Sequence, residues 1–146
     1  MNKPNYPALA AISVALISTF LPWVGVDTIN SEGGQPVVMS SFVTSGIQNM
    51  GGLICLPASL IGAFLAYKNE KFAVVAGVVN VTFGLLHMLH KIGYPEQKVG
   101  YIEMKILNLY GLHAFTAASM VFILLSLKNL MASGAQREEK TGVPSE

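Results

Sequence analysis

Residues 47–67 read IQNMGGLICLPASLIGAFLAY, and no charged side chain occurs in this stretch. A helix needs about 20 mainly apolar residues to cross roughly 30 Å of hydrocarbon, so the stretch predicts a membrane-spanning helix. Lys68 and Lys71 follow it, and a second apolar stretch covers residues 72–90. The short polar interval between the two stretches predicts a tight turn that joins two antiparallel helices.

Two further apolar stretches lie outside this pair, at residues 6–23 and 107–127. Hydrophobic residues make up 52% of the chain and charged residues 12%, whereas soluble domains contain roughly 25% charged residues. The predicted fold class is therefore all-α membrane: a four-transmembrane-helix bundle within residues 1–130. Residues 131–146 are polar and mixed in charge, which predicts a disordered cytoplasmic tail.

The two long loops of this scheme carry strand patterns. Residues 23–29 and 37–43 are rich in β-formers and flank a segment of turn residues, which predicts a β-hairpin. In the second loop, apolar residues alternate with Glu103 and Lys105, which predicts a short strand over residues 101–106. The helices are thus expected to carry a small extracytoplasmic β-hairpin or three-stranded sheet, and irregular loops are the alternative.

Basic residues are distributed unevenly between the two sides of the membrane in this predicted layout. On the side of the termini and the short turn lie Lys3, Lys68, Lys71, Lys128, Arg137 and Lys140, and on the other side lie Lys91, Lys98 and Lys105. Because cytoplasmic loops carry an excess of Lys and Arg, both termini are predicted to be cytoplasmic in a multi-pass protein of the bacterial inner membrane. The net charge of +1 and the lack of a basic run predict no nucleic-acid partner.

Small residues recur at helical spacing in each apolar stretch, and membrane helices pack through such residues. The predicted interior faces consist of Ala8, Ala11, Ala15, Ser18 and Pro22; Gly51, Cys55, Ala58, Gly62 and Ala66; Ala73, Gly77, Asn80, Gly84 and His87; and Tyr110, His113, Ala117 and Met120. The Leu, Ile, Val and Phe side chains of the opposite faces are expected to contact lipid. One bundle with these stripes directed inward is the simplest arrangement.

Three histidines are the candidate cofactor-binding residues. His87 and His90 share a face of the third predicted helix, and His113 lies at a similar depth in the fourth. No cofactor is predicted, because the simplest interpretation is that these side chains bond to backbone or water near the headgroups. The alternatives are haem b with two axial histidines, a transition metal, or a proton relay.

Asn80 is the polar residue predicted for the membrane interior. It lies near the middle of the third apolar stretch, on the same face as His87. A polar side chain at that depth needs a partner, so an interhelical hydrogen bond is its expected role. Part of a substrate or ion path is the alternative.

The predicted function follows mainly from what the membrane stretches lack. They contain no central Asp, Glu, Lys or Arg, and no nucleophile with a recognisable base, so an enzyme is not predicted. We expect a non-enzymatic accessory or interaction subunit that contacts the lipid bilayer and a membrane-protein partner or a homo-oligomer. Its exposed contact residues would include Trp23, Phe42, Tyr94 and Tyr101. A haem- or metal-binding redox subunit and an oligomeric channel are the alternatives.

Residues 20–24, which read FLPWV, end the first apolar stretch ahead of a loop rich in Gly and Ser. This phrase and the hydropathy layout resemble those of a broad group of small, uncharacterised bacterial four-span membrane proteins. The layout of helices and sheet also resembles that of claudin-like proteins, although the cysteine pair and the Gly-Leu-Trp signature of that family's outer loop are absent. The resemblance implies a four-span layout and assigns no functional residue.

Overall fold

The described chain consists of four α-helices and four β-strands. A computed structural model describes residues 4–90 and 97–141, and the side chains of residues 4–89 and 97–132 within them. In chain order the elements are α1 Tyr6–Ser18, β1 Pro22–Asn30, β2 Val37–Ser45, a 3-10 turn Gly46–Gln48, α2 Met50–Tyr67, α3 Ala73–His90, β3 Lys98–Val99, β4 Ile102–Asn108 and α4 Tyr110–Thr141. The predicted tail of residues 131–146 therefore overlaps the end of α4, and residues 142–146 lie outside the described chain.

The four described strands form one antiparallel sheet in the order β2-β1-β4-β3. Val26 of β1 lies opposite Phe42 of β2 on one side and opposite Ile106 of β4 on the other. Gly33 and Gly34, in the turn between β1 and β2, have positive φ angles, which glycine adopts without steric cost. The sheet thus has one long edge strand, β2, and one short edge strand, β3, of two residues.

The four helices pack side by side, with α1 and α3 each in contact with both α2 and α4. Asparagines join the helices at the end away from the sheet. The Asn5 backbone N–H donates to the Ala66 carbonyl at 3.2 Å, and the Asn5 side chain donates to the Leu125 carbonyl at 3.4 Å. The Asn129 side chain donates to that of Asn69, in the turn between α2 and α3. We call this region, where the start of α1 and the α2–α3 turn meet α4, the asparagine end.

The prediction of an all-α bundle of four membrane-spanning helices is wrong, because the fold is α+β. Among the described helices, two are long and apolar enough to cross a membrane: Met50–Tyr67 and the Tyr110–Ala132 part of α4. The apolar helix Tyr6–Ser18 and the Ala73–Leu89 part of α3 are shorter than these two. The sheet also exceeds the predicted hairpin or three strands, because β3 pairs with β4 as a fourth strand.

The first and last predicted spans differ from the structure at their sheet ends, for one physical reason. α1 ends at Ser18 and not at residue 23, and α4 begins at Tyr110 and not at residue 107. Residues 19–21 form a turn that leads into β1, and residues 107 and 108 are the last of β4; within these two strands Trp23 and Ile106 are buried. Such residues are apolar because they pack inside the protein, and hydropathy alone does not separate this burial from contact with lipid. The 13 residues of α1 extend only about 20 Å.

The interior faces predicted for α1 and α3 are confirmed, apart from Pro22, which lies in β1. Ala8, Ala11, Ala15 and Ser18 are buried in α1, as are Ala73, Gly77, Asn80, Gly84 and His87 in α3. The face predicted for α4 is wrong, since Tyr110, His113, Ala117 and Met120 are all exposed. The buried positions of α4 among the described side chains are Gly111, Leu112, Phe115, Thr116, Ser119, Phe122 and Ser126.

Candidate functional site

Three rings from three elements meet where the sheet joins the helices: Trp23 of β1, His87 of α3 and Phe115 of α4. The ring centroids of Trp23 and Phe115 are 4.8 Å apart, with an interplanar angle of 45°. Those of Trp23 and His87 are 5.9 Å apart, in an edge-to-face arrangement at 75°. The Trp23 Nε1–H donates to the Ser18 carbonyl at 2.8 Å, so the polar group of the buried indole is satisfied. We call Trp23, His87 and Phe115 the aromatic junction.

Two glycines form the backbone wall of the aromatic junction. A Cβ atom added at Gly51 would lie 2.1 Å from His87 Cε1, and one added at Gly46 would lie 2.4 Å from Trp23 Cε2. Non-bonded carbon atoms pack at about 3.5–4.0 Å, so neither position accommodates a side chain unless the rings move. The absence of a side chain at these two positions therefore allows the rings to pack directly against the backbone of the 3-10 turn and α2.

The candidate histidines occupy different environments. His87 is buried, and its Nδ1 lies 3.2 Å from the Phe83 carbonyl oxygen. Because a carbonyl oxygen only accepts, Nδ1 carries the proton of that hydrogen bond. His113 is exposed on α4, and the side chain of His90 lies outside the described residues. The structure thus places His87 in the interior and His113 on the surface, and it does not bring these two rings to one site.

Asn80 joins α3 to α2 in the interior. Its Nδ2 donates to Ser59 Oγ at 2.8 Å, and both side chains are 0% exposed. The Asn80 Oδ1 atom is buried and has no hydrogen-bond partner among the described residues. The Nδ2 atom therefore forms the interhelical hydrogen bond expected of a packing role, whereas Oδ1 is an acceptor without a donor among the described residues.

Sequence reasoning missed the part that α4 plays in this interior. Thr116 donates to the Leu112 carbonyl at 2.9 Å and Ser119 donates to the Phe115 carbonyl at 2.8 Å, which satisfies both buried hydroxyl groups within α4. A signal was present, because Thr116 and Ser119 are small polar residues three apart, comparable to Cys55 and Ser59 on α2. The choice of His113 as an inward residue placed the predicted face one position away from the buried one.

The strand β2 presents an exposed apolar surface at one edge of the sheet. All residues from 37 to 43 are exposed, and the exposed fractions of Val37, Met39 and Val43 are 61%, 62% and 55%. Neither Asp, Glu, Lys nor Arg occurs in β2, although edge strands of natural proteins are commonly protected by charge. Of the predicted contact residues, Phe42 and Tyr101 are exposed, Trp23 is buried, contrary to prediction, and Tyr94 lies outside the described residues.

Among the described residues, no group of three or more His, Cys, Asp or Glu side chains could hold a metal ion. No protein-family model matches this chain, and no curated protein matches it at a significant level. The resemblance to small bacterial four-span proteins and to claudin-like proteins therefore stays a prediction.

Proposed function

We propose that this chain is a multi-pass membrane protein in which α2 and α4 cross the bilayer. The observation that carries the proposal is that the outer faces of the helices are apolar, while several polar side chains are enclosed among the apolar ones of the interior. Exposed positions include Leu53, Leu60 and Phe64 of α2 and Val121 and Leu124 of α4. Ser59, Asn80 and Ser119 are 0% exposed. A helix on the surface of a protein in water has the opposite distribution, so lipid is the solvent that fits these surfaces.

The charges of the two ends support an orientation with both termini in the cytoplasm of a bacterial cell, in the inner membrane. The asparagine end carries exposed Lys68, Lys71 and Lys128, with Glu70 as the one acidic residue of the α2–α3 turn. The sheet carries Asp27, Glu32 and Glu103 against Lys98 and Lys105. Since Lys and Arg are enriched on the cytoplasmic side, this asymmetry favours a cytoplasmic asparagine end and an extracytoplasmic sheet.

The role that this geometry supports best is that of a non-enzymatic interaction subunit, with β2 as its contact surface. An exposed, uncharged edge strand has backbone and apolar groups that another protein can cover. The membrane keeps β2 at a fixed height above the lipid, where another protein in the same membrane can reach it. The occupant that fits is therefore a second membrane protein, either a different chain or another copy of this one.

Photo-cross-linking in intact membranes tests this role. A photoreactive amino acid is introduced at Met39 of β2 and, as a matched control, at Val99 of β3; both side chains are exposed, at 62% and 73%. The proposal expects one discrete protein adduct from position 39, identified by mass spectrometry, and little or none from position 99.

Adducts with lipid alone at position 39, or the same diffuse set of proteins from both positions, would contradict the interaction role. The result does not depend on a loss of folding, because both substitutions lie on the surface. The cross-linking yield is compared at equal amounts of the two variants in the membrane fraction.

A further inference from the structure

Three lysines lie within two residues of the Asn69–Asn129 hydrogen bond at the asparagine end. Asn129 on α4 bonds to Asn69 in the α2–α3 turn, so Lys128 and Lys68 each stand next to a residue of this bonded pair. Lys71 follows two residues after Asn69, in the same turn. All three lysines are exposed, and none of them belongs to the aromatic junction or to β2.

The position of the Lys68 ammonium group is restricted by an aromatic ring. Its Nζ atom lies 4.7 Å from the centroid of Phe64, which is one turn earlier in α2. A cation over an aromatic face at this distance is attracted to it. The contact holds the ammonium group beside the last turn of α2.

Apolar surface adjoins these lysines. Phe64, Phe72 and Leu124 are exposed by 56%, 69% and 66%, and Tyr67 is exposed by 59% at the last position of α2. Aromatic residues at such a boundary sit at headgroup depth, and apolar side chains below them contact acyl chains. A ligand for this region therefore needs an anionic group beside a long apolar part.

We propose that Lys68, Lys71 and Lys128 form a binding site for the phosphate group of an anionic phospholipid. The charges favour this ligand, because a phosphate group is negative and the asparagine end is positive. Three lysines and Glu70 leave a net charge of +2 here, whereas Asp27, Glu32, Glu103, Lys98 and Lys105 give the sheet −1. Lysines near a membrane surface attract anionic lipid by about 1 kcal/mol each, which corresponds to about a fivefold preference. The inference rests on the proposed membrane insertion and adds the class of lipid that the inserted protein binds.

Electron paramagnetic resonance of spin-labelled lipids tests the site in vesicles that contain the full chain. The association of labelled phosphatidylglycerol is compared with that of labelled phosphatidylcholine in a phosphatidylcholine bilayer. The expected result is at least about a threefold preference for the anionic lipid, which weakens in 1 M salt because screening shortens the reach of charge. Inorganic phosphate added to the buffer competes weakly, because it lacks the acyl chains.

A matched pair of variants locates the preference. Lys68→Gln combined with Lys128→Gln removes two charges at the asparagine end, and Lys98→Gln combined with Lys105→Gln removes two exposed charges from the sheet. The first pair is expected to reduce the preference to near parity, and the second to leave it unchanged. An equal effect of both pairs, no effect of the first, or full competition by inorganic phosphate would overturn the lipid site.

The same spectra separate this inference from the proposal on which it depends. A protein that restricts the motion of neighbouring lipid without preferring phosphatidylglycerol is embedded in the bilayer and lacks the site. A protein that gives no motionally restricted lipid signal is not embedded, and both proposals are then wrong.

Discussion

At the scale of single residues, one close approach in the interior is that of the His87 ring to the backbone at Gly51. Sequence reasoning placed both residues on inward faces, because small residues recur at helical spacing in α2 and α3. It could not pair them, since spacing along one helix does not specify which residue of its neighbour lies opposite. The same limit applies to Asn80, whose need for a partner was predictable and whose partner, Ser59, was not.

Gly51→Ala is expected to destabilise the fold by about 1–3 kcal/mol, which is typical of overpacking. The new Cβ would lie 2.1 Å from His87 Cε1, so the ring or α2 must move. Thermal unfolding in a mild detergent, followed by circular dichroism, measures the effect. Gly25→Ala is the matched control, because its Cβ would meet Leu109 Cδ1 at an ordinary 3.5 Å. Equal melting temperatures for the two variants would contradict the packing described for Gly51.

At the scale of elements, the sheet and α4 show where hydropathy is insufficient. The strand patterns of residues 23–29 and 37–43 were readable, and these residues do pair as β1 and β2. The end of β4 could not be predicted, because its last two residues, Leu107 and Asn108, lead into an apolar stretch and were taken as the start of a helix. The buried face of α4 was predicted wrongly because the stripe that contains Tyr110 and His113 has the same helical spacing as the stripe that is buried.

Trp23 is the one tryptophan of the chain, so its fluorescence reports the contact between the sheet and the helices. Its side chain is 0% exposed and hydrogen-bonded, so we expect blue-shifted emission that resists quenching by acrylamide. Gly46→Ala would place a Cβ 2.4 Å from Trp23 Cε2 and should shift the emission to the red and increase quenching. The Gly25→Ala variant should give the spectrum of the unaltered chain. Free quenching in the unaltered chain would show that the aromatic junction does not form.

At the scale of the whole molecule, the all-α membrane fold class that was predicted from composition and apolar stretches is wrong, because the fold is α+β. A hydrophobic fraction of 52% cannot distinguish residues that face lipid from those buried between a sheet and helices. The all-α prediction assigned residues 19–23 and 107–109 to lipid-spanning helices, whereas the structure has α1 ending at Ser18 and α4 beginning at Tyr110. The asymmetry of charge between the two ends could be predicted from the sequence, because it depends on which residues share an end and not on how their side chains pack.

The proposed arrangement places α2 and α4 in lipid, between two ends that face different compartments. Single cysteines at Ser41→Cys, on β2, and at Glu70→Cys, in the α2–α3 turn, are tested in a Cys55→Ala chain with a thiol reagent that does not cross membranes. Ser41 and Glu70 are both exposed, so neither label is blocked by packing. In sealed right-side-out vesicles the account predicts labelling at position 41 only, and in inverted vesicles at position 70 only. Labelling of both positions from the same side would contradict it.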